Sequence, residues 1–192
     1  MYARNGNPNQ HWLEEKVAAL HGADDAIVLG SGVAALHALF WTLLKTGDRV
    51  VYPKVSYMAV YRLFHELFNQ KFGVETVMVD MTDLEAVKKA ITPGTRLVHI
   101  ETPDNPTDGI SDIEAIAKIA HENEAVLSVD NTFASPLNQR PLDLGADFVV
   151  ESLTKYINGH GDAQGGAIIS NDLAAMDRIR YEAQVNVGSA IS

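Results

Sequence analysis

The sequence predicts an α/β protein: a three-layer α/β/α sandwich around a mostly parallel sheet of about seven strands. Short β-branched runs alternate with helical patterns, as in strand–helix–strand crossovers. Runs such as Val74–Val79 and Ala125–Val129 are apolar at nearly every position, which implies burial on both faces of a parallel sheet. Polar residues also gather where strands end and helices begin, the place where such sheets bind ligands.

The elements follow in order. Trp12–Leu20 carries apolar residues at spacings of three and four, a helix, and precedes a strand at Ala26–Leu29. Val33–Leu44 is the next helix, followed by a strand at Arg49–Tyr52 after the stop at Gly47-Asp48. Helix Tyr57–Phe72 leads to strand Val74–Val79, and helix Asp83–Ile91 to strand Arg96–Glu101. Thr82 with Glu85 matches a capping box for that helix, and Pro93-Gly94 ends it. Asp112 caps helix Ile113–Asn123, which feeds strand Ala125–Asp130. After Gly145-Ala146-Asp147 come strands Phe148–Glu151 and Ala167–Ser170, then a helix of mixed charge, Leu173–Ala183. Both ends, Met1–Pro8 and Asn186–Ser192, read as cuts through a longer chain.

At 192 residues, 46% hydrophobic and 21% charged, the composition is that of a soluble globular protein. A net charge of −10 argues against nucleic acid or an anionic membrane as the main partner. With no cysteine, a disulfide framework and a thiolate metal site are excluded. No apolar run approaches a membrane span, and no leader pattern opens the chain, so the cytoplasm is the expected location.

The chemistry concentrates in five places. Lys155 stands between hydroxyls in Ser152-Leu153-Thr154-Lys155-Tyr156, just after a strand. A lysine there can form a Schiff base with an aldehyde while Ser152 and Thr154 hold a phosphate, which are the needs of pyridoxal 5′-phosphate. Gly30-Ser31-Gly32-Val33 opens a helix after a strand, so it is either an anion site of free N–H groups or a tight turn. Asp130 ends a buried strand, as the partner of a pyridinium nitrogen or as a turn residue; Thr132 serves the ring face or the turn. Tyr57 is either a ring-stacking, proton-transferring residue or a half-buried structural tyrosine. Asn105 is a turn residue that can also bond the cofactor's phenolic oxygen. No metal site is expected: His160 and the scattered His11, His37, His65, His99 and His121 show no ligand spacing.

These motifs, with Tyr2-Ala3-Arg4-Asn5-Gly6-Asn7-Pro8 and Glu101-Thr102-Pro103-Asp104-Asn105-Pro106, resemble the Cys/Met-metabolism family of PLP-dependent enzymes over essentially the whole chain. Its members include methionine γ-lyase, cystathionine γ-lyase, cystathionine γ-synthase, cystathionine β-lyase and O-acetylhomoserine sulfhydrylase. The resemblance implies the large domain of fold type I over residues 21–192, behind an N-terminal segment, residues 1–20. It implies that Lys155 binds the cofactor and shuttles protons, that Asp130 pairs with the pyridinium, and that Ser31, Gly32, Val33, Ser152 and Thr154 surround the phosphate. Tyr57 is then the stacking and proton-transferring residue, with Asn105 and Thr132 beside the ring. Tyr2 and Arg4 reach the phosphate of a neighbouring subunit, so the site is shared within a homodimer or homotetramer. The substrate is a small sulfur amino acid. The Asn158-Gly159-His160-Gly161-Asp162 run resembles methionine γ-lyases, which release a thiol, a 2-oxo acid and ammonia; γ-replacement, cystathionine cleavage and a catalytically silent PLP-binding fragment are the alternatives. Met58 and Ala59 depart from the small residues, commonly glycine followed by glycine or cysteine, that the family has after the tyrosine. A smaller C-terminal domain, carrying the arginine for the substrate carboxylate, is expected beyond the large one.

Overall fold

A computed structural model describes residues 2–191, so Met1 and Ser192, the outer ends of the two expected segments, lie outside it. A single 3₁₀ turn, Ala3–Asn5, precedes α1 (Pro8–His21), which starts four residues before the expected helix. The cause is local: the Asn7 side chain accepts from the Gln10 N–H, and Pro8 sits in the first turn, where its missing N–H costs nothing. Strand β1 (Asp25–Leu29) is followed by α2 (Gly32–Leu43) and β2 (Arg49–Pro53). The expected helix 57–72 forms as α3 (Met58–Tyr61), a π-helical stretch over Arg62–Asn69 and α4 (Gln70–Phe72), with Tyr57 at the cap position.

Next come β3 (Glu75–Val79), α5 (Leu84–Ala90), β4 (Thr95–Glu101), α6 (Ile113–Glu122) and β5 (Val126–Asp130). The cap of α5 is Asp83, accepting from the Glu85 and Ala86 N–H groups, and not Thr82, whose hydroxyl is taken by Asp80 at 2.7 Å. Asp112 caps α6 as expected. A short α7 (Ser135–Asn138) and a 3₁₀ turn, Pro141–Leu144, precede β6 (Phe148–Glu151), β7 (Gly166–Ser170) and α8 (Leu173–Arg180); α8 passes into a π-helical turn, Tyr181–Asn186.

The seven strands form one sheet in the order β1-β7-β6-β5-β4-β2-β3. Only β7 runs against its neighbours β1 and β6; the other pairings are parallel. Helices cover both faces. On one, α2, the 58–72 helix and α8 pack on Ile27, Leu29, Val50, Leu97, Val150 and Ile168. On the other, α5 and α6 pack on Val51, Val98, Ile100, Leu127 and Val129, and α1 on Val28, Val149 and Ile169. The expectation of two-sided burial fails for Val74–Val79. As an edge strand β3 pairs with β2 alone, which leaves Glu75 and Met78 exposed. Among the described residues no helix is long and apolar enough to cross a membrane.

Candidate active site

At the carboxyl ends of β1, β2, β4, β5 and β6 the following loops enclose a cavity of about 280 Å³. Ser31, Gly32, Val33, Tyr57, Asn105, Asp130, Thr132, Ser152, Thr154 and Lys155 all line it, drawn from five separate loops. Tyr2 and Arg4 do not. The Arg4 guanidinium donates to the backbone carbonyls of Gln184 and Val185 in its own chain, and it stacks over the Tyr2 ring at 5.2 Å.

Close backbone contact brings the phosphate-type turn to the lysine turn. A Cβ on Gly32 would come within 2.9 Å of Ser152 Cβ, and one on Gly166 would collide with the Ser31 carbonyl. Only glycine lets the start of α2 lie against the β6–β7 connection. Ser31 caps α2 by accepting from the Ala34 N–H at 3.1 Å, while the Gly32 and Val33 N–H groups, in the first turn, have no acceptor within the helix. Thr132 Oγ1 accepts from the Ser152 N–H at 2.9 Å, tying the β5 end to the β6 end. Thr154 Oγ1 accepts from the Gly165 N–H and donates to the Gly165 carbonyl, each at 3.1 Å, which staples the lysine turn to the residue before β7. Lys155 pairs with no carboxylate among the described residues.

The acidic side of the cavity holds a residue that sequence reasoning left unassigned. Glu101 is the in-register partner of Asp130 across β4 and β5, so both side chains lie on the α2 face of the sheet. They are 6% and 7% exposed. Glu101 Oε2 accepts from the Tyr57 N–H at 2.7 Å and thereby fixes the start of the Tyr57 helix. Asp130 Oδ1 accepts from the Thr132 N–H at 3.1 Å, the turn bond foreseen for it. Burial, with Asp130 nearby, pushes Glu101 up to about 8; burial raises Asp130 as well, against the hydrogen bonds of Thr132. Leu36, Phe133 and Gln164 complete the lining and were not anticipated either. A carboxylate closing an apolar strand beside a second one was the available signal for Glu101, but it needed the strand order to be read. Tyr57 is 46% exposed and lines the cavity.

These residues fit pyridoxal 5′-phosphate on two observations. Asp130 is a buried carboxylate with no basic partner among the described residues, and a protonated pyridine nitrogen is the cation it lacks. At the other end of the same cavity, free N–H groups at the start of a twelve-residue helix face hydroxyl side chains, the donors a phosphate needs.

Comparison with known proteins agrees with that fit. The model of the family described as "Cys/Met metabolism PLP-dependent enzyme" matches residues 1–192. A canavanine γ-lyase of Pseudomonas canavaninivorans is 48% identical over 192 residues, 100% of this chain and 48% of that protein. An L-methionine γ-lyase of Fusobacterium nucleatum subsp. polymorphum is 47% identical over 183 residues, 94% of this chain and 46% of that protein. Among solved structures, cystathionine γ-lyase from Lactobacillus plantarum, complexed with L-serine, superposes with a TM-score of 0.95 at 38% identity, covering 100% of this chain and 49% of its own. The chain thus spans about half the length of the relatives it matches.

Proposed function

The chain belongs to the Cys/Met metabolism PLP-dependent enzyme family, and on that premise we propose that it carries the cofactor site of an enzyme eliminating a leaving group from Cγ of an amino acid. The observation that carries the reading is the convergence of Lys155, Asp130, the start of α2 and Tyr57 on one cavity. Pyridoxal 5′-phosphate supplies, when bound, an electron sink for the charge left by removal of an α-proton.

The protein's own groups do the rest. Lys155 Nζ would hold the cofactor through its aldehyde carbon and, once freed by the substrate amine, would take the protons at Cα and Cβ whose loss lets the group on Cγ leave. The Asp130 carboxylate binds the pyridine nitrogen and keeps it protonated. The Gly32 and Val33 N–H groups, with the hydroxyls of Ser31, Ser152 and Thr154, would hold the phosphate. Asn105 donates to the phenolic oxygen, and Thr132 supports the ring from the turn. Tyr57 stacks on the ring and supplies a proton to the departing group, its backbone held by Glu101. Tyr2 and Arg4 serve the phosphate of a second copy, in a homodimer or homotetramer. The arginine fork suits that role by bidentate geometry.

L-Methionine is the substrate favoured by the run Asn158-Gly159-His160-Gly161-Asp162, and γ-replacement or cystathionine cleavage is the alternative within the family. The canavanine relative adds a second candidate, because canavanine also carries its leaving group on Cγ, through oxygen instead of sulfur. The common class is γ-elimination. Mixing the chain with PLP should give an absorption band near the visible edge that borohydride removes and that Lys155→Ala never develops. A wild-type chain colourless in excess PLP would reject the cofactor reading. Following substrate loss and leaving-group release, a thiol from L-methionine against a hydroxyguanidine from L-canavanine, ranks the two substrates. Consumption of neither, with the band present, would reject elimination by this chain alone.

A further inference from the structure

The strand ends that line the cavity carry a second layer on the opposite face of the sheet. Side chains alternate along a strand, so the residues beside Glu101, Asp130 and Ser152 point away from the cavity. Those neighbours are Thr102, Asn131 and Glu151, and they meet in one buried network. Asn131 Nδ2 donates to Glu151 Oε1 at 2.9 Å and to the Gln139 carbonyl at 3.0 Å. Gln139 Nε2 donates to Asn131 Oδ1 at 2.8 Å and to the Thr102 carbonyl at 2.9 Å. His21, at the end of α1, brings Nε2 to 3.4 Å from Glu151 Oε1; both residues are 1% exposed.

Burial disfavours the charged form of both members of that last contact. Burial, with the nearby Arg140, lowers His21 to about 4, and burial, with Asp130 across the sheet, raises Glu151 to about 8. Neither ring nitrogen of His21 makes a hydrogen bond among the described residues, and the Glu151 Oε1 that accepts from Asn131 lies 3.4 Å from Nε2. A neutral Glu151 also spares Asp130 a second negative charge behind it.

We propose that His21 and Glu151 are positioning residues of the cofactor site: a buried contact which, through Asn131, sets the placement of Asp130 and Ser152. This rests on the reading of the Lys155 cavity as a PLP site. The pair acts on the two cofactor contacts that adjoin it in the chain, one for the pyridine nitrogen and one for the phosphate.

The test compares His21→Glu, Glu151→His, the exchanged double variant and Glu151→Gln. PLP affinity is read from the visible band, and the His21 ring nitrogens are followed by NMR before PLP is added. Each exchange alone should weaken PLP binding by about tenfold or more, since it leaves buried groups unpartnered. The double exchange should return to within about threefold of wild type, the signature of a coupled pair. Glu151→Gln should also bind within about threefold, because the amide oxygen can keep the Asn131 hydrogen bond without a charge. The wild-type ring should stay uncharged between about pH 5 and pH 8. Unchanged affinity in both single variants overturns the proposal, as does a double variant no better than the worse single, or a protonated His21 at pH 6. If the single exchanges fail to fold, Glu151→Gln and the ring signal decide: a loss above about tenfold in the amide means that a charge was needed, which also overturns it. A wild-type chain that never develops the band rejects the Lys155 reading instead and removes the pair's cofactor role with it, whatever the ring signal shows.

Discussion

Arg180 closes on Glu14 at 3.2 Å and on Asp25 at 2.8 Å, whereas Glu101 and Asp130, a second pair of buried or half-buried acids, meet no basic side chain among the described residues. The two pairs show how one fold treats negative charge in opposite ways. Around Arg180 the charges are complete: Glu14 Oε1 also accepts from the Val28 N–H, and one guanidinium nitrogen, Nη2, reaches both oxygens of Asp25. That cluster ties α8 to α1 and β1, and each of its acids meets the guanidinium. At the sheet's carboxyl edge the acids are instead crowded together, raised by burial, and left facing a cavity. A fold that buries charge with its partner gains structure. One that buries it alone holds a site for a cation yet to arrive.

The sharpest way to break that contrast is to neutralise the waiting acid. Asp130→Asn removes a charge-assisted hydrogen bond, about 2–3 kcal/mol, so PLP affinity should fall roughly 100-fold. The apo chain should melt no lower, because a buried carboxylate without its cation costs stability. A titration of the visible band with a melting curve checks both; unchanged affinity would mean that Asp130 is only a turn residue. The reverse variant, Arg180→Met, should leave PLP affinity unchanged and destabilise the fold. It strands Glu14 and Asp25, but Arg180 is partly exposed, so a loss of about 2 kcal/mol is expected. For a domain of this size that corresponds to a melting point lower by about 4–8 °C.

The smallest expected effect is in the pH dependence of the cofactor-free chain. Glu101 and Glu151 stand near 8 in the folded state against an ordinary 4.5, so the folded chain holds protons that the unfolded chain has given up. Their contribution is present below about pH 4.5 and is lost as pH rises toward 8. His21 near 4 and His99 near 3, both lowered from 6.5 chiefly by burial, act the other way: the unfolded chain binds protons that the fold refuses. Between about pH 4.5 and 6.5 the two effects oppose each other, and outside that window one acts alone. The melting temperature should therefore peak in the window, fall toward pH 8 and fall below pH 4.5. Glu101→Gln should flatten the alkaline limb. A maximum above pH 7 would show that these carboxyls are ionised in the fold.

All seven strands and the longer intervening helices were legible from apolar runs and spacings, because period-two and period-3.6 patterns are local, while the four-residue α7 is too short to show a period. Caps were legible where a single side chain acts, as at Asp112, and misread where two candidates compete, as at Thr82 and Asp83. The two-sided burial expected of Val74–Val79 failed because an edge position leaves no mark in the strand's own composition. Ten of the cavity's lining residues were nameable because loops after strands announce themselves with glycine, hydroxyl and acidic residues. Glu101 stood inside a quoted motif without a role, and His21 and Glu151 carried no signal except polar character next to apolar runs.

By itself the sequence determined the elements, their order along the chain, and the chemical kind of site that Lys155, Asp130 and the turn at Ser31–Val33 can build. Only the tertiary structure decided which strand ends stand side by side. The order β6-β5-β4 puts Glu101 beside Asp130 on one face and Glu151 beside Asn131 on the other. Such adjacency arises from packing between residues far apart in the chain, and alternation along each strand then assigns every residue its face. Local pattern carries the second of those facts and not the first.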